Sequence, residues 1–200
     1  MEIPNEPFLE FPKIARLNRE CVITEKIDGT NASVYIKLAD EAAGRALVGP
    51  DGNNYTIHAA SRTKWIVPGE DNHGFAAWVE AHSQQLLALG PGYHRGEWWG
   101  SGINRGYGLP KGEKRFSLFN VSRWNEQTPP PVCCSTVPVL YKGPFSTEKV
   151  NELVSELRCF GSKAVPFMNP EGVVVFHVAD NRMYKVTCEK DNEWKGKSQA

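Results

Sequence analysis

The sequence carries no excess of charge of either sign. Across its 200 residues, 23 Lys and Arg meet 23 Asp and Glu, for a formal net charge of zero. A protein that coats nucleic acid by charge alone needs many uncompensated cations, so that class is excluded, although a local basic groove is not. No apolar run is long enough to span a bilayer and no secretory apolar stretch is found, so no membrane partner and a cytoplasmic setting are expected. C-x-x-C spacing is missing. The cysteines (Cys21, Cys133, Cys134, Cys159 and Cys188) are odd in number and include an adjacent pair, which points to reduced thiols. The histidines do not fall near them at ligand spacing, so no zinc site is expected. Internal repeats and low-complexity tracts are lacking as well.

What is present suffices for a packed core. Hydrophobic residues make up 40% of the chain, and its length suits one domain spanning 1–200. Segments rich in β-branched and aromatic residues read as strands at 21–25, 32–38, 55–61, 93–99, 116–121, 137–141, 172–178 and 182–188. Asp28-Gly29 forms a tight turn between the first two, and Asp180-Asn181 suggests a hairpin between the last two. The stretch 39–54 reads as loop, and Pro129-Pro130-Pro131 separates a strand-rich first part from the rest. Two helices stand out. Phe75, Trp78, Val79, His82 and Leu86 recur at helical spacing, with Asp71 or Asn72 as cap and Gly90 as stop. Val150, Leu153, Val154 and Leu157 do the same between Ser146 and Gly161. Strands outnumber helices and do not alternate with them, which favours an α+β fold of antiparallel sheets with flanking helices.

Glu25-Lys26-Ile27-Asp28-Gly29-Thr30-Asn31 is the sharpest local feature. A lysine at a strand end before a turn can enter a cleft between sheets, where burial or nearby cations depress its pKa and make it a nucleophile. Gly29 permits the turn and a close backbone approach to phosphate. Taken alone, the string reads more readily as an exposed hairpin lysine. Four further segments follow in order. Gly96-Glu97-Trp98-Trp99-Gly100 sets a carboxylate where ribose hydroxyls can donate to it. Phe116-Ser117-Leu118-Phe119-Asn120-Val121 offers an aromatic wall for a base. Pro170-Glu171-Gly172-Val173 puts an acid ahead of an apolar strand, suited to Mg²⁺ and phosphate. Tyr184-Lys185-Val186 places a cation in a strand, where a phosphate is a natural partner. Each has an ordinary structural reading: a surface strand, a core strand, a turn acid, an edge-strand lysine.

In this order the five segments resemble motifs I, III, IIIa, IV and V of the covalent nucleotidyltransferases, the ATP-dependent ligases and mRNA capping guanylyltransferases. The string EKIDGTN is most similar to phage RNA ligases that seal nicks in duplex RNA, where Asn follows Thr. DNA ligases and capping enzymes usually carry Arg at the position of Asn31. Ser61-Arg62-Thr63 falls where the family has its motif Ia arginine.

The resemblance implies an adenylyltransferase core with the nucleotide in the cleft between sheets. It implies ATP as substrate, Mg²⁺ or Mn²⁺ as cofactor, and RNA with 5′-phosphate and 3′-hydroxyl ends as partner. Lys26 is then the nucleophile carrying AMP, and Glu171 and Lys185 complete the catalytic set. Glu25, Asp28, Asn31, Arg62, Glu97 and Phe119 contact the nucleotide or the reacting ends, with Phe116 as the fallback stacking residue, and Glu171 holds the metal. Two departures stand out. The family's motif V commonly has two lysines separated by one residue, whereas Val186 and Thr187 follow Lys185; Lys190 or Arg182 supplies the second cation, or none does. No further domain is expected after Cys188. Rival readings are a DNA ligase, a capping-type guanylyltransferase, and a binding module without turnover. The glycine-rich stretch 98–115, with Arg105, Tyr107, Lys111, Lys114 and Arg115, is read either as a tracker of a phosphate backbone or as a mobile solvated loop.

Overall fold

The computed structural model describes residues 7–40, 46–71 and 73–189. Among the described residues there are two sheets, each packed against helix on one face. The smaller sheet contains β1 (Glu20–Lys26), β9 (Val139–Pro144), β10 (Gly172–His177) and β11 (Arg182–Thr187), in the order β11-β10-β1-β9. The larger has seven strands among the described residues. Its order is β3 (Leu47–Val48), β4 (Asn54–Ser61), β2 (Thr30–Leu38), β6 (Gly92–Gly100), β7 (Lys114–Leu118) and β8 (Cys134–Thr136), with β5 (Trp65–Ile66) paired to β4. All pairings are antiparallel except β7 with β8. This is the expected α+β class.

Alternation along each strand decides what goes where. On the smaller sheet, Cys21, Ile23, Val173 and Val175 face α3 (Thr147–Phe160) and bury Val150, Leu153, Val154 and Leu157. Ser146 caps α3 by accepting from the Lys149 N–H at 3.1 Å, and Gly161 ends it, as its spacing foretold. On the larger sheet, Ala32, Val34, Ile36, Trp98 and Phe116 face α1 (Phe75–Ala81) and α2 (Ser83–Leu86). A third cluster, with Ile27, Trp99, Tyr107, Val121 and Val137, closes one end of the space between the sheets.

Several local expectations change. The first helix is two pieces, broken at His82 (φ −107°, ψ 12°) and ending in a 3-10 turn, Leu87–Leu89, before Gly90. Gly74 (φ 83°) occupies its cap position; Asp71 instead accepts from the Ala77 N–H at 3.1 Å, and Asn72 lies outside the described residues. The stretch 39–54 contains β3, which pairs with β4. The triple proline does not divide the chain, because β8 returns beside β7 with Phe116 opposite Cys134. Asn181 takes φ 53° in the turn that joins β10 to β11, a backbone shape Asn tolerates better than most residues. The cysteines are all free.

Candidate functional site

Asp28-Gly29 does not make a hairpin. Strands β1 and β2 lie in different sheets, so this turn carries the chain from one to the other and sets Lys26 at the mouth of the space between them. The glycine is demanded by packing: a Cβ there would sit 2.5 Å from the Trp98 carbonyl oxygen, 2.8 Å from Trp99 Cβ and 2.9 Å from Glu97 Cγ. Close approach to β6, rather than to phosphate, is the first reason for Gly29. Lys26 Nζ donates to Glu171 Oε2 at 2.5 Å, with the two side chains 23% and 18% exposed. Register explains the meeting. Lys26 pairs with Gly172, the first residue of β10, so the residue just ahead of that strand falls beside the lysine.

Glu97 approaches from the other sheet. It stands opposite Asn31 across β2 and β6, and its Oε1 accepts the Gly29 N–H at 3.1 Å. Burial pushes its carboxyl up to about 7, helped by the neighbouring charges of Glu171 and Asp28 and opposed by Lys26 and the Gly29 N–H. Lys26, Asp28, Asn31, Arg62, Glu97 and Glu171 line one cavity of about 610 Å³, together with Thr30, Ser61, Thr63, Lys64, Ile66, Glu70 and Asp71. A second groove of about 640 Å³, between the edge of β4 and α1, is lined largely by apolar groups such as Ile57, Ile66, Ala76 and Val79 and holds no comparable set.

Part of the stretch 98–115 is folded onto the Asp28-Gly29 turn. Tyr107 is buried, and its hydroxyl accepts the Asp28 N–H at 3.0 Å. Burial raises the Tyr107 phenol above its ordinary range, which keeps it neutral. Arg105 Nε donates to Asp28 Oδ2 at 3.1 Å and its Nη1 to the Asn169 side chain at 2.7 Å. Asn104 Nδ2 donates to Asp28 Oδ1 at 2.9 Å and to the Gly29 carbonyl at 2.6 Å. Arg115 is paired to Glu113 at 2.6 Å. The segment is therefore a clamp on the Asp28-Gly29 turn. Sequence reasoning named Arg105 and Tyr107 without foreseeing their hold on this turn, and it missed Asn104. The available signal was the glycine density: Gly102, Gly106 and Gly108 all take positive φ, as do Asn104 and Tyr107.

The remaining candidates fall elsewhere. Glu25 is not a cavity residue: its side chain is buried on the α3 side of β1, where Oε2 accepts the Lys163 N–H at 2.7 Å. Phe116 cannot stack on a base, because it is fully buried against Phe75 and Trp78. Phe119 is half-buried in the inter-sheet cluster and does not line the cavity. Lys185 stands opposite Val174, which stands opposite Thr24, so it shares the face of Lys26 but sits on the exposed edge strand, outside the cavity lining. Arg182, three residues earlier, falls on the other face by alternation and cannot be the second cation there. Lys190 lies outside the described residues.

No group of three or more metal-ligating side chains exists among the described residues. That excludes a ready-made protein cage there but suits Mg²⁺ or Mn²⁺ held by one or two carboxylates with substrate phosphates and water completing the shell. Glu171 at the cavity wall meets that requirement. No described helix is long and apolar enough to cross a membrane.

Solved structures share this fold. An RNA ligase of Naegleria gruberi, as a mutant with ATP and manganese, superposes with a TM-score of 0.53 at 16% identity over 85% of this chain. A second mutant of it with AMP and manganese gives 0.53 at 17% over 86%, and the enzyme with pyrophosphate gives 0.53 at 17% over 85%. The chain spans about half the length of these proteins, 49% to 50% of each. No curated protein sequence matches it. The pattern that defines the RNA ligase family matches residues 19–187, the stretch that runs from the start of β1 to the end of β11 and contains the lysine, its two carboxylates and the clamp; the chain belongs to the RNA ligase family.

Proposed function

We propose that this chain joins RNA ends, activating a 5′-phosphate with AMP that it first carries on Lys26. The carrying observation is the convergence of Lys26, Glu171, Glu97 and Asp28, drawn from both sheets, on one open cavity. ATP binds between the sheets with its ribose hydroxyls donating to Glu97. As an ammonium, Lys26 is no nucleophile, so its proton must leave before attack; in the free protein its Nζ donates to Glu171 Oε2 at 2.5 Å. Glu171 would hold a divalent cation there, whose charge would oppose the ammonium form of Lys26. The proton leaves to water, to which the Lys26 side chain is partly open. The Nζ lone pair forms a P–N bond at the α-phosphorus, the bond to the β-phosphate oxygen breaks, and pyrophosphate departs. The 5′-phosphate of RNA then displaces Lys26, and a 3′-hydroxyl oxygen displaces AMP to close the backbone. The cation, Mg²⁺ or Mn²⁺ held through Glu171, supplies positive charge to the phosphate oxygens when bound. Such transfers depend on positioning and charge neutralisation; the clamp on Asp28 serves the first and the cation the second.

Lys185, on the cleft face of the edge strand, is the candidate for meeting phosphate charge once substrate fills the site. The EKIDGTN string, with Asn31 where DNA ligases and capping enzymes usually carry Arg, supports RNA as the strand that is joined. The test is intact mass after incubation with ATP and Mg²⁺, followed by joining of 5′-phosphorylated RNA and DNA strands, for wild type and Lys26→Ala. The expected result is an AMP adduct and RNA joining in wild type and neither in the variant. Labelling by GTP alone rejects ligation in favour of capping chemistry. A folded wild type that gains no adduct is a binding module.

A further inference from the structure

The cleft face of the larger sheet does not end at the cavity. Cross-strand register arranges it in rows. Glu97, Asn31 and, one step beyond the paired residues, Arg62 form the row at the cavity. The next row is Arg95, Ser33, Ala60 and Trp65, and the one after it is Tyr93, Tyr35 and His58. Ser33 and Ala60 are small and covered, and the rings around them form one connected cluster. Tyr35 stacks on Tyr93 with centroids 4.3 Å apart and planes at 26°. Trp65 stacks on Tyr93 at 6.2 Å and 23°, and His58 meets the edge of Trp65 at 5.9 Å. Arg95 lies over the Tyr93 ring at 5.8 Å.

This cluster is ordered by its own contacts yet uncovered: Trp65 remains 54% exposed and Tyr93 55%. Half-open aromatic faces side by side are costly unless something lies on them. Nearby polar groups say what. Arg95 is exposed on the row itself, and Arg62 and Lys64, on the turn that leads into Trp65, line the cavity. Lys37 on β2 is already neutralised by Asp40 at 2.9 Å, and Glu70 and Asp71 line the cavity rather than the ring cluster. Rings flanked by arginines along one track suit a polyanion with flat bases. Rows on a strand are ~7 Å apart, so the platform begins ~7 Å from Asn31 and Glu97 and continues to ~14 Å. That is the length of about two to four stacked nucleotides at ~3.4 Å each.

We propose that Trp65, Tyr93 and Tyr35, with Arg95, form a stacking platform for unpaired RNA nucleotides adjoining the end held at Lys26. The inference rests on the ligase reading for what lies at Lys26, and it names the surface that grips the strand. Stacking is indifferent to base identity, so the platform gives affinity without sequence preference.

The test uses Trp65→Ala, Tyr93→Ala, the double variant and Trp65→Phe in the full chain. Three quantities are measured: anisotropy of a fluorescein-labelled, 5′-phosphorylated single-stranded RNA, AMP-adduct formation with ATP alone, and KM and kcat for RNA joining. Loss of one stack should weaken RNA affinity and raise KM about tenfold. The rate of adduct formation and kcat should stay within about twofold of wild type, and Trp65→Phe should retain most of the affinity. RNA affinity and KM in the double variant within about twofold of wild type overturn the proposal. So does a change confined to self-association, which assigns the rings to a second copy of the chain. Anisotropy needs no turnover, so a wild type that binds RNA through these rings but forms no adduct sinks the ligase reading and leaves the platform standing.

Discussion

Replacing Glu97 with Gln isolates the electrostatic burden this site places on the fold. In the folded chain the carboxyl is pushed up to about 7 from an ordinary 4.5, chiefly by burial. The folded state therefore binds more protons than the unfolded state between those two values, and stability must fall as pH rises through that window. At pH 8 the charge is carried in both states, and the burden is the full shift, about 3 kcal/mol at ~1.4 kcal/mol per unit. At pH 4 both states are largely protonated and the burden is close to zero. Gln keeps the shape and the Oε1 acceptor for the Gly29 N–H without the charge. Glu97→Gln should therefore be more stable than wild type by about 3 kcal/mol at pH 8, and the gap should close steadily toward pH 4. Urea unfolding of both proteins at pH 4, 6 and 8 measures this, because titrating groups remote from Glu97 are common to the pair and cancel in the difference. A variant less stable than wild type at pH 8, or a gap that does not change with pH, refutes the assignment of the shift to Glu97. The same substitution should weaken nucleotide binding if the carboxylate accepts from ribose, so stability and function should move in opposite directions.

Three further predictions concern the turn and its clamp. Gly29→Ala pushes a methyl into the β6 backbone at 2.5 Å and should cost about 1–3 kcal/mol, lowering Tm by roughly 2–4 °C for each of them; a melting curve superimposable on wild type contradicts the packing argument. Tyr107→Phe leaves the Asp28 N–H without its acceptor and should cost about 1–3 kcal/mol in chemical denaturation; an unchanged midpoint would mean water takes the hydroxyl's place at no loss. Arg105→Ala frees one oxygen of Asp28 and should slow AMP-adduct formation while leaving the folded baseline of far-UV circular dichroism intact. Adduct formation at the wild-type rate shows that Asn104 alone fixes the carboxylate.

How much was legible in advance depends on the range of the interaction. Periodicity and caps placed α3, with Ser146 and Gly161 at its ends, because those contacts lie within a few residues of each other. The same reasoning missed the break at His82, where the backbone departs from helical geometry within a run of helically spaced apolar residues. Strand ends shifted by a few residues, and β3, β5 and β8 were missed, because strands of two or three residues exist only through their pairing with β4 or β7.

At the site, residue order alone names the cast: a lysine, its turn glycine and the carboxylates, recognisable because their order and local spacing survive in one dimension. Which of them meet depends on pairing between distant strands. Lys26 and Glu171 are brought to 2.5 Å by the β1–β10 register across 145 positions of chain, while Glu25, adjacent to Lys26, is turned to the opposite face of the same strand. The aromatic face beside the cavity was likewise invisible, since Tyr35, His58, Trp65 and Tyr93 come from four strands and become neighbours only through backbone hydrogen bonding between them. Side-chain alternation with period two and long-range pairing do the deciding, and neither can be read until the sheet exists.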